Sequence, residues 1–235
     1  VTPGNSSTIN AGASAVGVGT PVARPQRFAS QSEALGGPGL GRESGESLVG
    51  LAPHQIVQYG IARTFQNIRL FGGLSVLENV LVGTFIRTHS GLVSALLHSP
   101  DARREERWGR DRAMGLLGFV GLAERAEEQA GALPFGLQRR LEIARALASD
   151  PTLVLLDEPG AGLNPVEKQQ LVQLIRQLRD QGLTVLLIEH DMQVVMPISD
   201  RVAVLDEGRK IAEGPPQAIQ QDPGVIEAYL GAPKG

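Results

Sequence analysis

From about Leu51 onward, short apolar runs alternate with amphipathic stretches, and their periods predict the elements. Residues 53–59 predict a short helix closed by Gly60, and residues 61–65 a short strand. After the pair Gly72-Gly73, a helix is predicted to begin over 76–82. Residues 101–118 predict a long polar helix with Trp108, Met114 and Leu117 spaced along one face. Residues 137–149 predict another, with Leu141, Ala144, Arg145 and Ala148 on one side. An alternation follows. Apolar runs at 153–156, 184–188 and 202–205 predict strands. An amphipathic helix over 165–181, closed by Gly182, separates the first two, and residues 190–198 predict a helix before the third. Residues 223–230 predict a final helix, and there is no internal repeat. Continuous apolar strands set between helices predict an α/β fold, a parallel sheet core covered by helices on both faces.

Residues 1–48 do not follow this pattern. They are rich in Gly, Ser, Ala and Pro, and residues 11–20 show neither helical nor strand periodicity. Such a segment buries too little apolar surface to offset its ordering entropy, so disorder is expected there. The sequence thus divides into a low-complexity stretch, 1–48, and a folded part, 49–235.

Composition narrows the function. A net charge of -3 offers no general attraction to nucleic acid or anionic lipid. No cysteine is present, so disulfides and thiolate metal sites are excluded, which fits a reducing cytosol. No apolar run reaches the ~20 residues that cross a bilayer, and the first residues show no signal-peptide pattern. Any link to a membrane is therefore expected to run through a partner.

The chemistry concentrates at Leu153-Val154-Leu155-Leu156-Asp157-Glu158, a buried strand ending in two adjacent carboxylates. Ligands of α/β sheets bind beyond the carboxyl ends of strands. An acid there can hold Mg²⁺ through water, and its neighbour can orient or deprotonate a water attacking a γ-phosphate. Acid pairs after strands also simply start turns. The surroundings decide between these. Leu133-Pro134-Phe135-Gly136-Leu137-Gln138 lies upstream, Gly162-Leu163-Asn164-Pro165 and Leu187-Ile188-Glu189-His190-Asp191 lie downstream, and Arg63-Thr64-Phe65-Gln66 lies further upstream.

In that order, these segments resemble the ABC-type ATPases over roughly residues 50–231. The resemblance implies an incomplete ABC-type nucleotide-binding domain with a helical subdomain at about 72–150. It implies ATP and Mg²⁺ as ligands. Glu158 matches the catalytic base and His190 the switch histidine that contacts the γ-phosphate. Asp157 matches the Mg²⁺-associated acid. Gln66 matches the glutamine that senses Mg²⁺ and the attacking water, also through water. Phe135, Gly136, Leu137 and Gln138 match the signature segment, whose helix N-terminus faces ATP held by the opposite subunit. Asn164 matches a loop residue that communicates across the dimer. His54, His89 and His98 have no motif around them and read as surface residues.

Finer features are similar to importer ATPases for branched-chain amino acids: the run from Arg63 to Phe71, Leu77-Glu78-Asn79-Val80-Leu81-Val82-Gly83, and the ending from Asp222 to Gly231. Urea importers have similar ATPases. The implied partners are transporter membrane subunits and a second ATPase subunit, in a homo- or heterodimer, with no nucleic acid. The implied location is peripheral, on the cytoplasmic face of the inner membrane.

Two departures stand out. The family's G-x-x-x-x-G-K-[ST] loop, which cradles the β- and γ-phosphates, does not occur. The only lysines are Lys168, Lys210 and Lys234, and none follows a glycine loop. In the family the loop lysine falls near Ala23. A one-base change of frame turns codons for Gly-Lys-Thr into codons for Ala23-Arg24-Pro25, so residues 1–48 are expected to be a frame-shifted reading of the nucleotide-binding segment. Second, Pro134 replaces the small or hydroxyl residue of the signature and offers neither hydroxyl nor N–H. Two functions remain: an importer ATPase, or a catalytically defective, half-site subunit acting as a regulatory partner. A nucleic-acid-acting ABC protein is disfavoured by the lack of tandem domains, long coiled coils and a basic surface.

Overall fold

A computed structural model describes the backbone of residues 14–18, 48–87 and 100–230. In chain order, β1 is Ser14–Val18, α1 is Pro53–Gln58, β2 is Ile61–Arg63, α2 is Val76–Thr84 and α3 is Pro100–Val120. Then α4 is Phe135–Leu147, β3 is Leu153–Asp157, α5 is Pro165–Asp180, β4 is Thr184–Glu189 and α6 is Met192–Val195. Last, β5 is Arg201–Asp206, β6 is Arg209–Gly214, α7 is Pro216–Ile219 and α8 is Pro223–Leu230.

The strands form one sheet in the order β2-β3-β4-β1-β5-β6. The expected parallel core is present: β2, β3 and β4 pair in parallel, with Asp157 opposite Ile188. The other pairings are antiparallel, including β1 with both β4 and β5. Two points differ from expectation. Ser14–Val18 is a strand, although its sequence carries no strand period, because the edges of β4 and β5 supply hydrogen-bond partners that a local pattern cannot reveal. The rest of the stretch 1–47 lies outside the described residues, and so do His89 and His98. In addition, burial alternates along the strands. Val154, Leu156, Val185, Leu187, Val202 and Val204 are buried, whereas Leu153, Leu155, Leu186 and Ile188 are only half-buried. The apolar runs marked a sheet interior, but one face is covered more completely than the other.

The buried face packs with α5, whose Leu171, Leu174, Ile175 and Leu178 recur at helical spacing. Each such side chain stabilises the fold by about 2 kcal/mol on removal from water. Asn164 starts α5: its Oδ1 accepts the Glu167 N–H at 3.0 Å, and Glu167 Oε2 accepts the Asn164 N–H at 2.9 Å.

The helices α2, α3 and α4 pack against one another. The buried stripe of α3 is Ala113, Leu116, Leu117 and Val120, with Trp108 and Met114 half-buried at its margin. Gly83 lets α2 lie close on α4, since a Cβ there would fall 2.3 Å from the Arg145 carbonyl oxygen. Residues 190–198 form only the four-residue α6. Asp191 caps it, and Pro197 stands just beyond, where its missing N–H cannot extend the helix. The polar hairpin strand β6 carried no apolar alternation and was not foreseen.

Candidate functional site

The parallel strands carry the candidate residues to their carboxyl ends, on one side of the sheet. Asp157 ends β3, and Glu158 follows it with φ +43°, a left-handed conformation unusual for a glutamate. A bond from the Glu158 N–H to the Ile188 carbonyl, at 2.9 Å, holds that turn against β4. Strain of this kind at a strand end aims the carboxylate out of the ladder.

Three predicted residues meet there. Gln66 Nε2 donates to Glu158 Oε2 at 3.1 Å. His190 Nδ1 lies 4.0 Å from Glu158 Oε1 and 3.8 Å from Glu189 Oε2. An amide and an imidazole therefore converge on the Glu158 carboxylate. Asp157 sits beside them but is paired with Arg63, whose Nη2 donates to Oδ2 at 2.9 Å. Thr64 steadies this strand end, its Oγ1 accepting the Asp157 N–H at 3.4 Å.

Glu189 escaped the sequence reading. It is fully buried, and its Oε1 accepts the Gly160 N–H at 2.7 Å. Its Oε2 accepts the N–H groups of His190 at 3.1 Å and Asp191 at 3.4 Å. One carboxylate thus ties the turn after β3 to the turn that carries His190. The available signal was a glutamate closing the apolar run of β4, a position that reads equally well as a strand end.

Asp191 is held by Lys168 Nζ, which donates to Oδ2 at 2.6 Å, and it caps α6 by accepting the Gln193 N–H at 2.9 Å. Burial pushes its carboxyl up, but the Lys168 and Gln193 hydrogen bonds, with the charges of Lys168 and His190, outweigh that and leave it below its ordinary value.

The signature residues occupy the start of α4. Pro134 precedes it without a side-chain cap, Phe135 is exposed and Gly136 buried. Gln138 Nε2 turns back to the Leu133 carbonyl at 2.8 Å. A Cβ at 136 would come within 2.4 Å of Glu167 Oε1, so any larger residue there makes that flexible carboxylate move aside. Leu137 packs half-buried on the core. Phe135 lies against Gly162 in the loop before α5. Among the described residues, no hydrogen bond or ion pair joins Phe135, Gly136, Leu137 or Gln138 to Glu158 or His190. Asn164 stands near this helix start, but its side chain is engaged in capping α5.

The donor set suits Mg²⁺ in chemistry. Asp157 and Gln66 offer hard oxygens at a strand end, and Mg²⁺ is bound by few protein groups with phosphate oxygens and water completing its shell. No cluster of three or more His, Cys, Asp or Glu forms a closed metal cage among the described residues. No helix there is long and apolar enough to cross a membrane.

The family model for ABC transporters matches residues 41–161, half of the chain, and that for branched-chain amino acid ATP-binding cassette transporters matches residues 209–234. The chain is 48% identical over 187 residues to the high-affinity branched-chain amino acid transport ATP-binding protein LivG of Escherichia coli strain K12, covering 79% of this chain and 73% of that protein. It is 46% identical to the corresponding protein BraF of Pseudomonas aeruginosa, covering 82% and 76%. Among solved structures, a nucleotide-free ATP-binding cassette from an ABC transporter superposes with a TM-score of 0.65 at 31% identity, over 80% of this chain and 75% of the other. An ADP conformation of such a cassette, at 24% identity and TM-score 0.66, shares the fold over 93% of this chain and 99% of its own. Motif order, strand-end geometry and these likenesses agree, and the chain belongs to the ATP-binding subunits of ABC transporters.

Proposed function

We propose that this chain is the ATP-binding subunit of an importer for branched-chain amino acids, working as one half of an ATPase dimer beneath two membrane subunits. The observation that carries this is the convergence of Gln66 and His190 on Glu158 beside Asp157, in a chain so similar to LivG and BraF. In this reading Glu158 accepts the proton of the attacking water, Gln66 orients that water, and His190 contacts the γ-phosphate. Asp157 and Gln66 would hold Mg²⁺ through water, and the ion would supply positive charge against the phosphate oxygens. Arg63 must then release Asp157.

One observation favours a narrower role. The sequence holds no G-x-x-x-x-G-K-[ST] loop, while the signature residues Phe135, Gly136, Leu137 and Gln138 are present. The chain then presents its α4 N-terminus to ATP bound by a partner ATPase subunit and completes that site alone. Mixing it with its partner and the membrane subunits tests this. The expected result is a rise in the partner's hydrolysis rate that Gly136→Asp abolishes, because a carboxylate at the helix start repels phosphate. No effect of the chain on that rate sinks the half-site role. Resequencing the first fifty codons tests the frame-shift. If the adjacent frame encodes Gly-Lys-Thr at the position of Ala23-Arg24-Pro25, the chain read in that frame hydrolyses ATP at both sites of the dimer. If it does not, the frame-shift reading fails.

A further inference from the structure

The loop that carries Gln66 leaves β2 at Arg63, and both Phe65 and Gln66 are exposed. An exposed loop whose apolar anchor, Leu70, comes only several residues later is ordinarily a low-stability segment. This one is tied down from beneath by two buried, charged side chains of α4. Arg139 and Glu142 are each 1% exposed and form an ion pair, Nη1 donating to Oε2 at 2.8 Å. Arg139 Nη1 also donates to the Phe65 carbonyl at 2.8 Å, and its Nη2 donates to the Gln66 carbonyl at 2.9 Å. Glu142 Oε1 accepts the Phe65 N–H at 3.3 Å. One helical turn pair thus takes both polar groups of Phe65 and the carbonyl of Gln66. Further along α4, Arg145 Nη1 donates to the Arg69 carbonyl at 2.5 Å, so the same helix grips the far end of the segment.

Burying an ion pair is costly, and a packed apolar pair in its place would serve stability as well. Arg139 Nε finds no partner among the described residues, which adds to that cost. What the pair supplies is geometry: a planar guanidinium fork fixes two successive carbonyls at once, which an apolar pair cannot do and a lysine, without a rigid fork, does less firmly.

We propose that Arg139 and Glu142 are positioning residues, a clamp through which the signature helix α4 sets the place of Gln66 against Glu158. Gln66 Nε2 reaches Glu158 Oε2 at 3.1 Å from the backbone that Arg139 holds. Hydrogen bonds weaken steeply with misalignment, so a shift of the first turns of α4 is transmitted to the Gln66 amide. A phosphate captured at the start of α4 and the placement of Gln66 are then coupled within one chain. The catalytic consequence rests on the role given to Glu158 above; the loop ordering does not, and it is measured without nucleotide, so the two fail separately.

The chain has no cysteine, so Asn67→Cys takes a single nitroxide next to Gln66. In the otherwise unchanged chain, the label should give a slow-motion spectrum and the Phe65 amide should exchange slowly. The paired change Arg139→Met with Glu142→Leu, which leaves no unpaired charge, should free the label. It should also speed Phe65 exchange at least tenfold while amides of β3 and β4 stay protected. Arg139→Lys, which keeps the charge but can reach fewer carbonyls, should fall between. The proposal is overturned if the label and the Phe65 amide are unchanged in either variant. It is equally overturned if Ile219→Ala, a core change in α7 away from the loop, frees the label as much. Should the paired variant fail to fold, Arg139→Lys alone decides.

Discussion

At the scale of single residues, the site is organised by carboxylates with unlike duties. Glu158 is half-exposed and meets Gln66 and His190, whereas Glu189 is buried and spends its oxygens on three backbone N–H groups. Glu189→Leu leaves those donors without their acceptor, and we expect it to cost about 3 kcal/mol in urea unfolding. Glu189→Gln keeps a carbonyl oxygen and should cost less. Asp191 makes a pH-dependent contribution. Its carboxyl sits below its ordinary value in the folded chain, so the unfolded chain binds more protons as pH falls. Its stabilisation is therefore full above the unfolded pKa and is lost as pH drops through the folded one. Asp191→Asn should cost about 1 kcal/mol at neutral pH, through the lost Lys168 ion pair, since asparagine caps α6 as well as aspartate does. The difference from the unchanged protein should begin to narrow below about pH 4. A gap that does not shrink as pH falls would refute this assignment.

At the scale of elements, helix starts carry much of the site's structure. The reciprocal cap of Asn164 and Glu167 fixes the start of α5, and Glu167 also packs against Gly136 at the start of α4. Asn164→Ala should lower stability by about 1 kcal/mol, and Asn164→Asp should restore it, since aspartate caps equally well. Thermal unfolding of the three proteins checks this, and failure of aspartate to rescue would point to a role other than capping. Residues 190–198 teach a related lesson. Their apolar spacing suits a helix, yet Glu189 and Asp191 draw the backbone N–H groups into a turn first, and Pro197 stops the helix soon after.

At the scale of the whole molecule, the sheet and the helical lobe of α2, α3 and α4 are joined where α4 passes beneath the Gln66 loop. The signature residues and the Glu158 cluster lie at separate places and share no bond among the described residues. Such a chain can present one end to its own nucleotide and another to its partner's. Without a loop lysine, its own grip on phosphate should be weak, and ATP with Mg²⁺ should stabilise the isolated chain little. Ligand binding stabilises as RT ln(1 + [L]/Kd), so an affinity weaker than millimolar should move Tm by less than about 1 °C at millimolar ATP. A shift of several degrees would show that the chain holds nucleotide by other groups.

The local sequence alone determined the elements whose apolar period is strong and the order of the motifs. The apolar runs of β3 and β4, the stripe of α5 and the acid pair Asp157-Glu158 were legible because each needs only neighbouring residues to reveal it. The tertiary structure alone decided the pairings between distant residues. Nothing near Glu189 in sequence discloses that its oxygens serve Gly160, and nothing near Arg139 discloses that it holds residues 73 and 74 positions away. Nor could Ser14–Val18 declare itself a strand, since its partners lie in β4 and β5. Period and propensity are local properties, whereas a buried charge or an unpaired N–H finds its partner through the packing of the whole chain.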